Sequence, residues 1–287
     1  MKNRKIAPII IIGMHRSGTT LAANILNKFG LFIGKSVDDN YESKFFNRMN
    51  RIIMNQFAAT WDNPSTFSKY SNSKISKLLE EYLKNKINSI DSINYFGVID
   101  FFKTKIYNSY PECWGWKDPR NTITINLWKN IFPKSKIIHI YRNPLDVALS
   151  LRSRVRIVLE NKKLRRWKHD NIFITLEKRS KPSISPMCEN LDGGIKLWEN
   201  YMKEAKNFLS SQDRNSFIEV KYEDLLTNPE REIYKMVGFC NLNFNKNIFQ
   251  NFVDKIDESR AYAFKNENIS PKYQLKYKDL LDEYYLS

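Results

Sequence analysis

The chain has 287 residues, 42% of them hydrophobic and 14% aromatic, which suits one α/β domain with insertions and is too long for a minimal module. No apolar run approaches the roughly 20 residues of a membrane-spanning helix, and Ile6–Ile12 is too short, with no small-residue cleavage site after it, for a secretory leader. Forty-seven Lys and Arg against 31 Asp and Glu give a formal net charge of +16, while Cys113, Cys188 and Cys240 show neither metal-ligand spacing nor an even-numbered disulfide framework.

The first strand is predicted over Ile6–Ile12. It runs straight into Gly13-Met-His-Arg-Ser-Gly18-Thr-Thr20, with a helix predicted over Gly18–Phe29. Gly13 and Gly18 stand at Walker-type spacing in a strand–loop–helix frame. Backbone N–H groups of such a loop, with the positive end of the helix behind them, form an anion cradle. The lysine a nucleoside triphosphatase needs after the second glycine is replaced by Thr19, and a positive charge enters the loop as Arg16. The loop is suited to phosphate but not to ATP hydrolysis; the alternative is a glycine-rich turn with no ligand.

Three acids, Asp38, Asp39 and Glu42, follow the first helix and precede a second helix expected over Ser43–Ala58. Ser43 and the helix dipole are expected to favour an ionised Glu42. The stretch 61–110 is long, aromatic and helical in pattern, with a helix over Ser73–Ser89. A strand over Cys113–Trp116 leads into Trp114-Gly-Trp-Lys117-Asp-Pro-Arg120, then a helix over Thr122–Asn130.

The third strand is expected over Lys136–Tyr141, with β-branched bulk from Ile137, Ile138 and Ile140 and with His139 in mid-strand as a packed or an edge histidine. Arg142 then stands at a strand's carboxyl end, where open α/β sheets bind ligands. Asn143 is a suitable N-cap and Pro144 a suitable first helical residue for a helix over Pro144–Lys168 carrying Ser150. From Leu151 to Lys181 eleven Lys or Arg face three acids, an excess of eight, so half the net charge lies in one tenth of the chain. That run, which includes His169, reads either as a solvated helix face or as a basic wall attracting anions. A helix over Met187–Ser210, a fourth strand over Ser216–Val220 running into Tyr222-Glu-Asp-Leu-Leu-Thr-Asn-Pro229, and a helix over Pro229–Phe239 follow. The polar tail from Asn266 reads as a docking helix or as an unstructured end.

Alternation of strands and helices predicts an α/β fold, a central parallel sheet flanked by helices. A single domain over residues 1–287 is expected, with a core at about 6–240, an insertion at 61–110 and a C-terminal extension at 241–287.

The motif GMHRSGTTL resembles the 5′-phosphosulfate loop of sulfotransferases that use 3′-phosphoadenosine 5′-phosphosulfate (PAPS). IYRNPLDVALSLRSR resembles their 3′-phosphate motif, WGWKDPR the lysine segment of bacterial members, and YEDLLTNP a phrase after their fourth strand. The resemblance covers most of the chain, about Ile6 to Gly238. It implies a P-loop NTPase-like sulfotransferase fold, and the co-substrate PAPS with adenosine 3′,5′-bisphosphate as product. The nucleotide would be held by His15, Arg16, Ser17, Gly18, Thr19, Thr20, Arg142, Ser150 and Tyr222. Lys117 would reach the sulfuryl group and bridging oxygen. A sulfuryl group carries less negative charge than a phosphoryl group, so no metal is expected.

The acceptor hydroxyl needs a base. Carbohydrate and tyrosine sulfotransferases often use a glutamate after the first helix, and the segment around Glu42 resembles the N-x-E-S of some bacterial members. Glu42 is therefore the expected base, with Asp38 and Asp39 as rivals. The expected acceptor is a carbohydrate hydroxyl, the expected location cytoplasmic, and the expected membrane contact peripheral at most. Rival readings are a P-loop kinase or ATPase, which lacks its lysine here; a basic nucleic-acid-binding protein, which lacks any recognised motif; and a non-catalytic PAPS-binding module.

Overall fold

Four consecutive isoleucines, Ile9–Ile12, form β1, and none is more than 3% exposed. Such a continuous apolar run belongs to a strand covered on both faces. In the computed structural model, which describes residues 7–70, 73–107, 111–165 and 184–285, β1 lies inside a four-stranded sheet of order β2-β1-β3-β4. Its partners are β2 (Gly115–Lys117), β3 (Lys136–Tyr141) and β4 (Phe217–Lys221), and every pairing is parallel. Ile10 stands opposite both Trp116 and Ile137. The expected parallel α/β architecture is thus present, with each strand within a few residues of its predicted bounds.

The chain divides into two compact units, residues 1–142 with 201–261, and residues 143–200 with 262–287. The first contains the sheet. Alternation sends Ile9 and Ile11 to one face together with Ile138, Ile140 and Val220, where they meet Ala22, Ala23, Ile25 and Leu26 of α1 (Thr19–Lys28). Toward the other face, Trp116 stacks on Phe46 of α2 (Lys44–Gln56) at 3.8 Å. The region between α2 and β2 is helical as expected: α3 (Ser65–Tyr70), α4 (Lys74–Asn88), α5 (Ile93–Phe96) and α6 (Val98–Tyr107). The Tyr95 hydroxyl reaches the carbonyls of Gly115 (2.7 Å) and Phe32 (3.0 Å), fastening α5 to the start of β2. After β2 comes α7 (Asn121–Ile131).

The second unit opens with α8 (Pro144–Arg165), whose N-cap is made as predicted: Asn143 Oδ1 accepts the Leu145 amide at 2.9 Å. The rest of the basic run, residues 166–181 with His169, lies outside the described residues. The helix expected over Met187–Ser210 instead begins at Leu191 as α9 (Leu191–Leu209), after a 3₁₀ turn at Pro186–Glu189. Asn190 breaks it: its backbone is extended and its side chain accepts the Gly193 amide at 2.8 Å, an N-cap within the predicted helix. Leu145, Ala148, Leu191, Ile195 and Phe264 form this unit's core. The tail is helical at Pro271–Lys276 and Lys278–Tyr285, and the hydroxyls of Tyr273 and Tyr277 both donate to Asp192.

Candidate active site

The loop after β1 is held by its own backbone and by neighbouring strands. Gly13 has φ 143°, and a Cβ there would lie 2.2 Å from the Ile140 carbonyl oxygen, so only glycine fits. Its amide donates to Thr122 Oγ1 at 2.9 Å. The Ser17 hydroxyl faces inward and is within bonding distance of the Met14 (2.6 Å) and Ile140 (3.1 Å) carbonyls, so it shapes the turn rather than facing outward. Arg16 takes a left-handed φ of 70° and is exposed. Gly18, at φ 94°, is the N-cap of α1, and a Cβ on it would lie 2.1 Å from the Tyr222 ring. The first amides of α1 have no carbonyl within the helix to accept them, so they are open to an external acceptor. The His15 ring packs edge-on against Trp61, 4.9 Å between centroids, and lies 6.4 Å from Tyr201.

Lys117 ends β2 and is 1% exposed. Its ammonium donates to Thr20 Oγ1 at 3.3 Å and to Glu42 Oε1 at 3.1 Å. The other Glu42 oxygen accepts from Asn47 Nδ2 at 2.7 Å. The helix-dipole expectation for Glu42 is corrected here. Burial, then Asp118, push its pKa above 4.5, with Asp38 adding to them against Lys117 and Arg120. Ser43, though at the N-cap of α2, makes no side-chain capping bond. Asp38 is engaged in a turn, its Oδ1 accepting the amides of Asn40 (3.0 Å) and Glu42 (2.9 Å), and Asp39 is exposed.

A polar network absent from the sequence reading supports this pair. Asp118, fully buried, accepts Arg120 Nε at 2.9 Å and Arg120 Nη2 at 2.8 Å, and also Asn50 Nδ2 at 3.0 Å. Burial would raise the Asp118 pKa, but Arg120 and these hydrogen bonds hold it below its ordinary value. Asn50, on α2, also donates to Asn121 Oδ1 and accepts from Thr124 and from the Trp128 indole. Asn50 and Asn47 carry no local signal, since their partners are set by folding. Only the proximity of Asp118 and Arg120 around Pro119 offered a hint.

Arg142 follows β3 as predicted, 7% exposed, with its guanidinium 4.6 Å from the centroid of the Tyr222 ring. It donates to the carbonyls of Arg16 (3.4 Å) and Arg260 (3.0 Å). The loop, Arg142 and Tyr222 therefore meet, Lys117 joins them through Thr20, and Glu42 joins through Lys117. Ser150 lies on α8 in the second unit. His139 is buried and bonded to Glu219, its cross-strand neighbour, at 3.0 Å. Among the described residues no cluster of three or more His, Cys, Asp or Glu is placed to hold a metal, and no helix is long and apolar enough to cross a membrane.

The sulfotransferase family matches residues 8–246, and the chain belongs to that family. A 3-beta-hydroxysteroid sulfotransferase of Cavia porcellus is 24% identical over 176 residues, 58% of this chain and 53% of that protein. An uncharacterized protein of Aquifex aeolicus is 21% identical over 248 residues, 86% of this chain and 27% of its own. The chain thus spans about half of the first relative's length and about a quarter of the second's. Among solved structures, the sulfotransferase domain from the curacin biosynthetic pathway is similar with a TM-score of 0.53 at 19% identity, covering 96% of this chain and 98% of that one. The fold is that of the P-loop-like sulfotransferases.

Proposed function

We propose that this protein transfers a sulfuryl group from PAPS to an acceptor hydroxyl. The observation that carries the reading is that the Lys117 ammonium bridges Thr20, at the end of the loop after β1, and Glu42. That arrangement supports a reading in which Lys117 is the cation and Glu42 the proton acceptor at the sulfuryl end of a bound 5′-phosphosulfate. Gly18, Thr19 and Thr20 supply backbone donors for its oxygens, and Arg16 and His15 flank them. Arg142 on the Tyr222 face would take the 3′-phosphate through its planar fork, with Ser150 as a second donor.

In this reading Glu42 takes the proton of the acceptor hydroxyl as its oxygen attacks sulfur. The bond from sulfur to the bridging oxygen breaks, and Lys117 stabilises the charge that develops on that oxygen. The products are a sulfate ester and adenosine 3′,5′-bisphosphate, and no metal is required. The region 61–110 touches the loop through Trp61 and would shape the acceptor pocket. A carbohydrate hydroxyl is the acceptor class proposed first, on a protein acting in the cytoplasm.

Calorimetry with adenosine 3′,5′-bisphosphate in EDTA tests the donor. Tight binding is expected, and equal or tighter binding of ATP with magnesium would overturn the reading in favour of a kinase-like protein. Transfer of label from PAPS to glycan and small-alcohol libraries tests the acceptor. A lipid or small-metabolite product would replace carbohydrate, and no product at all would leave a nucleotide-binding module.

A further inference from the structure

We infer that the face of α2 carrying Lys44, Arg48 and Ile52 is a second binding site, built for a single-chain amphiphilic anion. At 100° per residue, Lys44, Arg48 and Ile52 fall within about 80° of one another on α2, and their mean direction is about 130° from that of Asn47 and Asn50. That face, with α4 and the turn after it, lines an open cavity of about 200 Å³. A water occupies about 30 Å³ in the liquid, so the cavity admits several heavy atoms.

The cavity has a polar mouth and an apolar floor. Phe45 and Met49, 4% and 3% exposed, form the floor, and Ile52 extends it. Lys44, Arg48 and Lys86 bring positive charge to the mouth, against a single carboxylate, Asp91. Asp91 is already held by Lys86 at 2.6 Å. Lys44 and Arg48, on successive turns of α2, form no salt bridge among the described residues, although the Arg48 charge also acts on Asp91. Two cations beside a dry floor match an anionic head with a hydrocarbon next to it.

A track for the rest of the chain leads off the cavity. Tyr82 lines it, and Leu78 and Ile75 continue along α4 at helical spacing, spanning about 10 Å. All three are exposed, Leu78 by 67% and Ile75 by 56%. A ridge of this kind on a helix that already buries Leu79 and Leu83 is surplus to packing. Entry into a cavity floored by buried side chains selects a free monomer over a flat bilayer. The ligand class is thus an alkyl phosphate, sulfate or carboxylate monomer.

The probe is decyl phosphate below its micellar concentration, titrated calorimetrically into the full chain. Decanol, inorganic phosphate and anionic phospholipid vesicles run alongside. One saturable site is expected, with decanol and phosphate each binding at least about tenfold more weakly. Lys44→Gln/Arg48→Gln and Leu78→Asp/Tyr82→Asp should each weaken decyl phosphate by at least about tenfold. Adenosine 3′,5′-bisphosphate binding should stay unchanged in both, which also reports that they fold. Four results would overturn the site: no saturable binding, undiminished affinity in the variants, displacement by the bisphosphate, or capture by vesicles alone. None of them bears on the donor reading, which rests on the loop and Arg142.

Discussion

The Lys117 ammonium lies 3.1 Å from Glu42 Oε1, with the two side chains only 1% and 12% exposed. A pair so poorly solvated is a doubtful source of stability, because desolvation offsets much of its attraction. Its value lies in position: the cation touches Thr20 of the loop after β1 and, on its other side, a carboxylate of raised pKa.

Glu42 should therefore set an acid limb in the pH profile of turnover. Its pKa is raised above 4.5, so the base fills with protons, and kcat falls, at a pH above the ordinary glutamate range. The stability effect has the opposite direction. The native state binds this proton more tightly than the unfolded chain, so its contribution is present below 4.5 and is lost as pH rises through the raised native value. Glu42→Gln should abolish turnover, retain bisphosphate binding, and flatten that slope in denaturant titrations run across pH. Collapse of turnover in Asp38→Asn with a wild-type profile in Glu42→Gln would transfer the role.

Lys117→Ala should lower kcat by roughly 10²–10³, the scale for one donor to a developing oxyanion. Single-turnover kinetics separate this from binding, and bisphosphate affinity should change little. The variant also leaves Glu42 without its cation, so the acid limb should move to still higher pH.

Arg142→Ala should weaken adenosine 3′,5′-bisphosphate by about 1.5–3 kcal/mol, the worth of a charge-assisted, forked contact. Adenosine 5′-phosphate, which lacks the 3′ group, should scarcely respond. Equal losses for both would mean that the residue acts through its bond to the Arg16 carbonyl, supporting the loop. Ser150→Ala should follow the first pattern with a smaller loss.

Asn50→Ala tests the network behind the site. It would strip partners from Asp118, Asn121, Thr124 and Trp128, all buried. The expected loss is about 2–4 kcal/mol by urea denaturation, since buried polar groups left unmade cost more than the bonds gain.

The parts legible in sequence were those whose meaning is local. The Ile9–Ile12 run, the glycines of the loop, and the Asn143-Pro144 helix start each carry their physics within a few residues. Arg142 was legible for the same reason, standing just past a β-branched run. Asn50 was not, because its partners lie 68 to 78 residues away and only the packing of α2 on α7 brings them together. The late start of α9 was missed because the Asn190 side chain, which accepts the Gly193 amide, makes the N-cap at the fourth residue of the predicted helix. Burial, a tertiary quantity, reversed the expected sign at Glu42.

The placement of β1 has a kinetic corollary. A strand hydrogen-bonded on both edges, with four side chains out of water, opens only when the sheet does. Its amides should be among the slowest in the protein to exchange with deuterium. Gly13 follows directly from it and is pinned to Thr122, so the anchored end of the anion loop inherits that rigidity. If the loop binds an anion as proposed, this end of it would be set before the ligand arrives and would need no reordering.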